Sequence, residues 1–143
     1  MKLNFDCVHD VLLFLESADY LSIGQDDFPV FVPVGFNEIF VALPAYSPQE
    51  IFYCLHNLAQ AGFVDAEYDT EEVYFAGLVN FITFAGHEFL ALIKPPAVWE
   101  KTKDIASIVG SESIQILTGI AKRVIREKLG EYFNDNSSSN DLA

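Results

Sequence analysis

From Leu3 to Ile93 the sequence contains no lysine and no arginine, while fourteen aspartates and glutamates fall in the same interval. Proteins that sit on nucleic acid draw much of their affinity from cations that displace counterions along the phosphate backbone. That source is missing from the first two thirds of the chain. Seven of the eight basic residues lie from Lys94 onward, where seven acidic residues offset them, so the net charge of −13 belongs to the first part. Such an acidic body repels phosphate backbones and attracts basic protein surfaces. Also absent is any apolar run approaching the ~18 residues of a membrane span, so no membrane partner is expected. The opening MKLNFDCVHD places carboxylates where a secretion signal carries its apolar run, which points to a cytoplasmic protein. Cysteine is scarce too. Cys7 and Cys54 both fall in predicted helices and read as reduced thiols rather than a disulfide.

Motifs with a catalytic mechanism are equally thin. No serine sits in a nucleophile elbow, and no glycine-rich phosphate loop follows a strand. His87-Glu88 opens like the zinc-protease pattern H-E-x-x-H, but the fifth position is Ala91 and the second ligand is missing. Cys7-Val8-His9 and Cys54-Leu55-His56 form two C-x-H pairs. Residues two apart on a helix point roughly 200° apart, so neither pair converges on one ion. The carboxylates cluster in loops and first turns, where helix dipoles and solubility account for them. No catalytic residue, metal or cofactor is assigned, and the chain is expected not to be an enzyme.

What the sequence does hold is strong local patterning. Its 143 residues, 51% of them apolar, suit one domain with an appended helix. Val8, Val11, Leu12 and Leu15 repeat at helical spacing and predict a helix capped by Asn4 or Asp6 and running to about Ser17. Asp19 to Asp27 reads as a polar, acidic loop. FPVFVPVGFNEIFVALPAY is rich in β-branched and aromatic residues but broken by Pro29, Pro33, Gly35 and Pro44. It predicts short or edge strands near 29–33 and 38–43, the alternative being a short helix over Phe36 to Leu43.

The best-defined element is SPQEIFYCLHNLAQAGFV. Ser47 as N-cap, Pro48 at N1 and Glu50 at N3 form a capping box, Ile51, Leu55 and Leu58 the buried stripe, and Gly62 a left-handed stop. Phe63 and Val64 lead into a strand, Asp65 to Glu72 forms an acidic turn, and Val73 to Ile82 returns, making a hairpin or wing. Thr83 caps FAGHEFLALI, which ends before Pro95-Pro96. Beyond that hinge the chain reads as one helix or two, jointed at Gly110, with Trp99 as an expected anchor between the parts. Ile114, Leu117, Ala121, Val124 and Lys128 trace one face of the last helix, widened by Ile120 and Ile125. The predicted architecture is a single α+β winged-helix-like domain over residues 1–94, an amphipathic helical extension over 95–132 and a disordered polar tail over 133–143.

Two surfaces are candidate sites. The outward face of the central helix carries Gln49, Tyr53, His56, Asn57 and Gln60. Asn and Gln can pair with adenine, and Tyr and His can donate to phosphate, although a polar face also simply keeps a helix soluble. Lys122, Arg123, Arg126 and Lys128 form the basic C-terminal run. It suits nucleic acid, the negative end of a helix dipole, or the acidic body of this or another copy. Packing or homodimerisation through the C-terminal helix is favoured over a membrane surface, because overall acidity opposes anionic lipid.

MKLNFDCVHDVLLFLE, YSPQEIFYCLHNLAQAGFV, ITFAGHEFL and VWEKTKDIASIVGS occur in one order. That order resembles a family of small phage and prophage proteins catalogued as domain of unknown function 2513, over roughly Met1 to Gly130. The most telling pieces are Met1 to Cys7, the leucine-alanine-glycine close of the central helix, Gly86-His87-Glu88-Phe89-Leu90 and Trp99-Glu100-Lys101-Thr102-Lys103. Members carry more basic residues on the first and central helices, so His9 and the neutral face of 49–60 are departures. The resemblance implies a phage or mobile-element setting in a bacterial host and a winged-helix-like core, with no activity, catalytic residue or cofactor attached. The expected function is a non-enzymatic interaction module that binds or inhibits a basic host protein through its acidic surface. The alternative is a winged-helix transcriptional regulator presenting the Gln49–Gln60 face or the basic run to DNA.

Overall fold

Asn4 starts the first helix. In the computed structural model, which describes residues 1–70, 75–110 and 113–141, its Oδ1 accepts the Asp6 and Cys7 amides at 3.0 and 3.2 Å. Helix α1 then runs Phe5–Ser17 and buries Cys7, Val8, Val11, Leu12 and Leu15. The segment expected as an acidic loop instead contains β1 (Leu21–Ile23), which pairs antiparallel with β2 (Pro29–Phe31), inside the strand expected near 29–33, to form a ribbon. Asp26 and Asp27 form only its tip, and Asp27 takes the left-handed φ of 58° that a short polar side chain tolerates.

A two-residue strand, β3 (Val34–Gly35), leads directly into helix α2 (Phe36–Ala42). This corrects the strand expected near 38–43. Phe36 and Ile39, one helical turn apart, are both buried, whereas Val41 is 81% exposed. A strand would have turned Val41 to the same side as Ile39. The alternative of a short helix is the one that forms.

Helix α3 (Pro48–Gln60) begins where Ser47 Oγ accepts the Glu50 amide at 3.2 Å. The Glu50 carboxylate turns outward and accepts from Asn4 Nδ2 at 3.3 Å, linking the starts of α1 and α3. At the other end Gly62 has φ +77°. Its amide donates to the Ala59 carbonyl at 3.0 Å and the Phe63 amide to the Leu58 carbonyl at 2.9 Å, the paired bonds of a Schellman stop. The hairpin follows as β4 (Val64–Tyr68) and β5 (Gly77–Ile82), with an irregularity in register between Asp65 and Ala66. Residues 71–74, including the expected first residues of the returning strand, lie outside the described residues. β3 pairs with the other edge of β5, so the sheet order is β3-β5-β4, all antiparallel. Thr83 Oγ1 accepts the Gly86 amide at 3.1 Å and donates to the Gly62 carbonyl at 2.6 Å. One hydroxyl thus ties the end of α3 to the start of α4 (Phe84–Ile93).

Helices packed with small antiparallel sheets make the protein α+β. The chain divides into two compact units, Met1–Ala91 and Leu92–Ala143, the division falling inside α4. In the second unit α5 (Pro96–Val109) stops at Gly110, φ +74°, and α6 spans Ile114–Asp141. Ile114, Leu117, Ala121 and Val124 are buried, but Lys128, expected on that face, is exposed. α6 also continues through most of the segment expected as a disordered tail (133–143). A helix once nucleated extends with little cost per residue, even through polar sequence.

Candidate interaction face

α3 buries Ile51, Cys54, Leu55 and Leu58, which turns Gln49, Tyr53, His56, Asn57 and Gln60 away from the core. Of these, Gln49 and Gln60 are exposed and the other three are half-buried. His56 Nδ1 lies 2.8 Å from the Tyr68 hydroxyl on β4. Asn57 Nδ2 donates to the Tyr53 carbonyl of its own helix at 2.8 Å. The amide best suited to reading a base is therefore bonded within the protein, and the imidazole is held by the hairpin.

Beside this face lies an aromatic cluster that the sequence reading did not single out. The Phe52 ring packs 5.9 Å from Phe36, 5.5 Å from Tyr68 and 5.1 Å from Phe75. Phe36 is buried, while Phe52, Tyr68 and Phe75 are half-exposed. Burial pushes the Tyr68 phenol above its ordinary range, so it stays a neutral hydrogen-bonding group beside His56. Phe75 takes φ +49°, a left-handed conformation costly for a bulky residue. Glu38, Asp65, Glu67 and Asp69 stand exposed on α2 and the hairpin, with Asn80 Nδ2 donating to Asp65 at 2.8 Å. The first unit thus exposes carboxylates on α2 and the hairpin, and the sequence from Leu3 to Ile93 has no lysine or arginine to offset them.

Other polar groups of the first unit are bonded to one another. Tyr46 donates to Asp10 Oδ2 at 2.6 Å, and His9 Nδ1 lies 3.1 Å from Asp10 Oδ1. Burial and that carboxylate hold the Tyr46 phenol protonated well above its usual range. Cys7 and Cys54 are fully buried, and burial followed by contact with Cys7 pushes the Cys54 thiol up, the opposite of a nucleophilic thiolate. Their C-x-H partners diverge: His9 faces Asp10, and His56 faces Tyr68. Among the described residues no group of three or more His, Cys, Asp and Glu is placed to hold a metal ion. No helix among them is long and apolar enough to cross a membrane.

In the second unit Lys122, Arg123, Arg126 and Lys128 are all exposed. Lys122, Arg123 and Arg126 line one open hollow of about 580 Å³ with Gly119 and Glu127, and Lys128 is not part of it. Arg123 Nε sits 3.8 Å from Glu127, which also lies 3.7 Å from Lys101 of α5. Trp99 is buried, with Lys103 Nζ 5.6 Å from its ring centre.

A family model described as "Hypothetical protein (DUF2513)" matches residues 2–112. No curated protein and no solved structure matches the chain.

Proposed function

The chain belongs to this DUF2513 family, and we propose that it is a non-enzymatic interaction protein of phage or prophage origin built on a winged-helix scaffold. It binds, and by covering a working groove inhibits, a basic protein of the host. The scaffold reading is supported by the order α1-β3-α2-α3-β4-β5, with the β1–β2 ribbon inserted after α1, in which β5 lies between β3 and β4 and α3 precedes the hairpin. The observation that carries the function is the charge of the face next to α3. Glu38, Asp65, Glu67 and Asp69 are exposed on α2 and the hairpin, elements that in a DNA-binding member of such a scaffold carry cations. Exposed carboxylates steer a basic partner into place, and half-exposed aromatics supply an apolar anchor.

The exposed cations on α6 favour one second reading, a DNA-binding regulator that engages the duplex through Lys122, Arg123 and Arg126. One experiment separates the two. The immobilised full chain and a Glu67→Lys/Asp69→Lys form are offered bacterial lysate and a random-sequence duplex at low salt. The protein-binding reading requires basic proteins that elute with salt and are lost from the charge-reversed form. Equal capture by both forms, or retention of duplex that Arg123→Glu abolishes, overturns it.

A further inference from the structure

The β1–β2 ribbon has an open edge, and its main-chain hydrogen bonds show which groups lie on it. The Val32 amide donates to the Tyr20 carbonyl at 2.8 Å and the Gly24 amide to the Phe28 carbonyl at 2.9 Å. Register pairs Leu21 with Phe31, Ser22 with Val30 and Ile23 with Pro29. Bonded and non-bonded pairs alternate along an antiparallel ladder. Ser22 and Val30 therefore bond each other, whereas Leu21, Ile23, Pro29 and Phe31 turn their main-chain groups outward. The sheet holds these two strands alone, and among the described residues no other element pairs with Leu21 or Ile23.

The two edges are unequal. On β2, Pro29 has no N–H to offer and Pro33 follows the strand, the blunting that natural edge strands use. β1 has neither proline nor lysine, so the N–H and C=O groups of Leu21 and Ile23 stand as a template for another strand. Leu21, Ile23 and Phe31 share one side of the ribbon and are 59, 74 and 70% exposed. Asp19 before β1, and Asp26 and Asp27 at the tip, are also exposed. Charge decides what such an edge takes. In a second copy paired antiparallel about Ser22, each Asp19 would lie beside Gln25 and Asp26 of the other, so like charges meet at both ends. A strand with cations at both ends meets opposite charge at both.

We propose that the β1 edge takes an extended basic segment of another protein as an added strand. The segment carries two apolar residues at alternate positions, beside Leu21 and Ile23, and a lysine or arginine towards each end. At ~3.3 Å per residue those cations stand about six residues apart, one facing Asp19 and the other Asp26 and Asp27. The main-chain groups of Leu21 and Ile23 supply the hydrogen bonds, and the apolar pair extends the side formed by Leu21, Ile23 and Phe31. None of these residues belongs to the face on α2, α3 and the β4–β5 hairpin, so either surface can hold where the other fails.

The test is an NMR titration of the isotope-labelled full chain with an end-blocked peptide, Lys-Lys-Thr-Val-Thr-Val-Thr-Lys-Lys. At ~50 mM salt it is expected to bind with a Kd below about 1 mM. Hydrogen exchange of the Leu21 and Ile23 amides slows, and that of the Phe31 amide does not. Proline in place of both valines keeps the charge but removes donors, and glutamate in place of the lysines reverses the charge; each weakens binding by about tenfold or more. On the protein, Ile23→Pro removes one outward donor and spares the ribbon's own bonds at Ser22 and Gly24. Asp19→Lys/Asp26→Lys changes exposed side chains and keeps the native circular dichroism. Both also weaken binding by about tenfold or more. No binding up to 1 mM peptide overturns the proposal, as does protection at Phe31 in place of Leu21 and Ile23. So does a proline or glutamate peptide, or either protein variant, that binds like the native pair. Protection of Leu21 and Ile23 in the chain alone as its concentration rises would make a second copy the occupant, and overturns it too.

Discussion

Placing a single methyl group at Gly86 tests the packing that sets α4 on the end of α3. A Cβ built there falls 2.0 Å from the Phe63 carbonyl oxygen, 2.9 Å from the Phe63 carbonyl carbon and 2.7 Å from Ile82 Cγ2. The oxygen cannot easily give way, because it accepts the Thr83 amide at 3.1 Å and the Phe63 ring stacks on Phe89 at 4.8 Å. Ordinary contact begins at 3.4 Å, so the first turn of α4 must retreat by more than an ångström. Helix propensity alone favours alanine over glycine by about 1 kcal/mol. Against it stand an overpacking cost of about 1–3 kcal/mol and the strained Thr83 cap, about 1 kcal/mol. The net expectation for Gly86→Ala is a loss of about 1–3 kcal/mol, each kcal/mol lowering Tm by roughly 4–8 °C in a unit of this size. Gly119→Ala is the control: its Cβ meets nothing within 4 Å, so it keeps the propensity gain of up to about 1 kcal/mol. Urea denaturation followed by circular dichroism measures both. If Gly86→Ala is as stable as Gly119→Ala, the close approach of α4 to Phe63 is wrong.

The Tyr20 hydroxyl is buried and, among the described residues, has no hydrogen-bond partner, and burial pushes its phenol up to about 12. Tyr20→Phe is therefore expected to stabilise by about 1 kcal/mol in thermal unfolding, since it removes an unsatisfied donor; a loss of stability means the hydroxyl is bonded. The folded phenol's affinity for its proton is raised, so its contribution is fully present below pH 10 and is lost as pH rises towards 12. Stability of the native chain should fall across that window more steeply than that of Tyr20→Phe, and parallel alkaline limbs would rule the effect out. Thr83→Ala removes the bond to Gly62 and the cap on Gly86, so about 1–2 kcal/mol is expected to go. Thr83→Ser should restore most of it, and an unchanged midpoint for the alanine form contradicts the cap.

The parts of the fold legible in the sequence are those where local chemistry and burial agree. Asn4, Ser47-Pro48-Gln49-Glu50 and Gly62 mark α1 and α3 because caps act within one turn of the backbone. Segment 36–43 was ambiguous because Phe, Ile and Val suit either strand or helix. What decides is the packing of Phe36 and Ile39, a tertiary fact. Of the β1–β2 ribbon, β2 was legible as the strand near 29–33, but β1 escaped, because alternation reports burial and this ribbon is exposed on both sides. At the candidate face, helix phase gave the five outward residues of α3. It did not give the Tyr68 partner of His56, which depends on how the hairpin folds back, nor the bond from Asn57 to its own helix. The aromatic cluster around Phe52 was equally hidden, since its members come from α2, α3 and both sides of the hairpin turn. The one functional signal that carried through unaltered is the absence of cations from Leu3 to Ile93.

That absence is the centre of the account, and a fluorescence-anisotropy titration tests it most directly. A labelled random-sequence duplex is titrated with the full native chain at ~50 mM salt, where proteins with several phosphate contacts bind even non-specific DNA at micromolar concentration. The acidic face predicts no saturable binding up to about 50 µM, well into that non-specific range. Saturable binding that weakens linearly with the logarithm of salt concentration, and disappears in Arg123→Glu or Gln60→Glu, would contradict it.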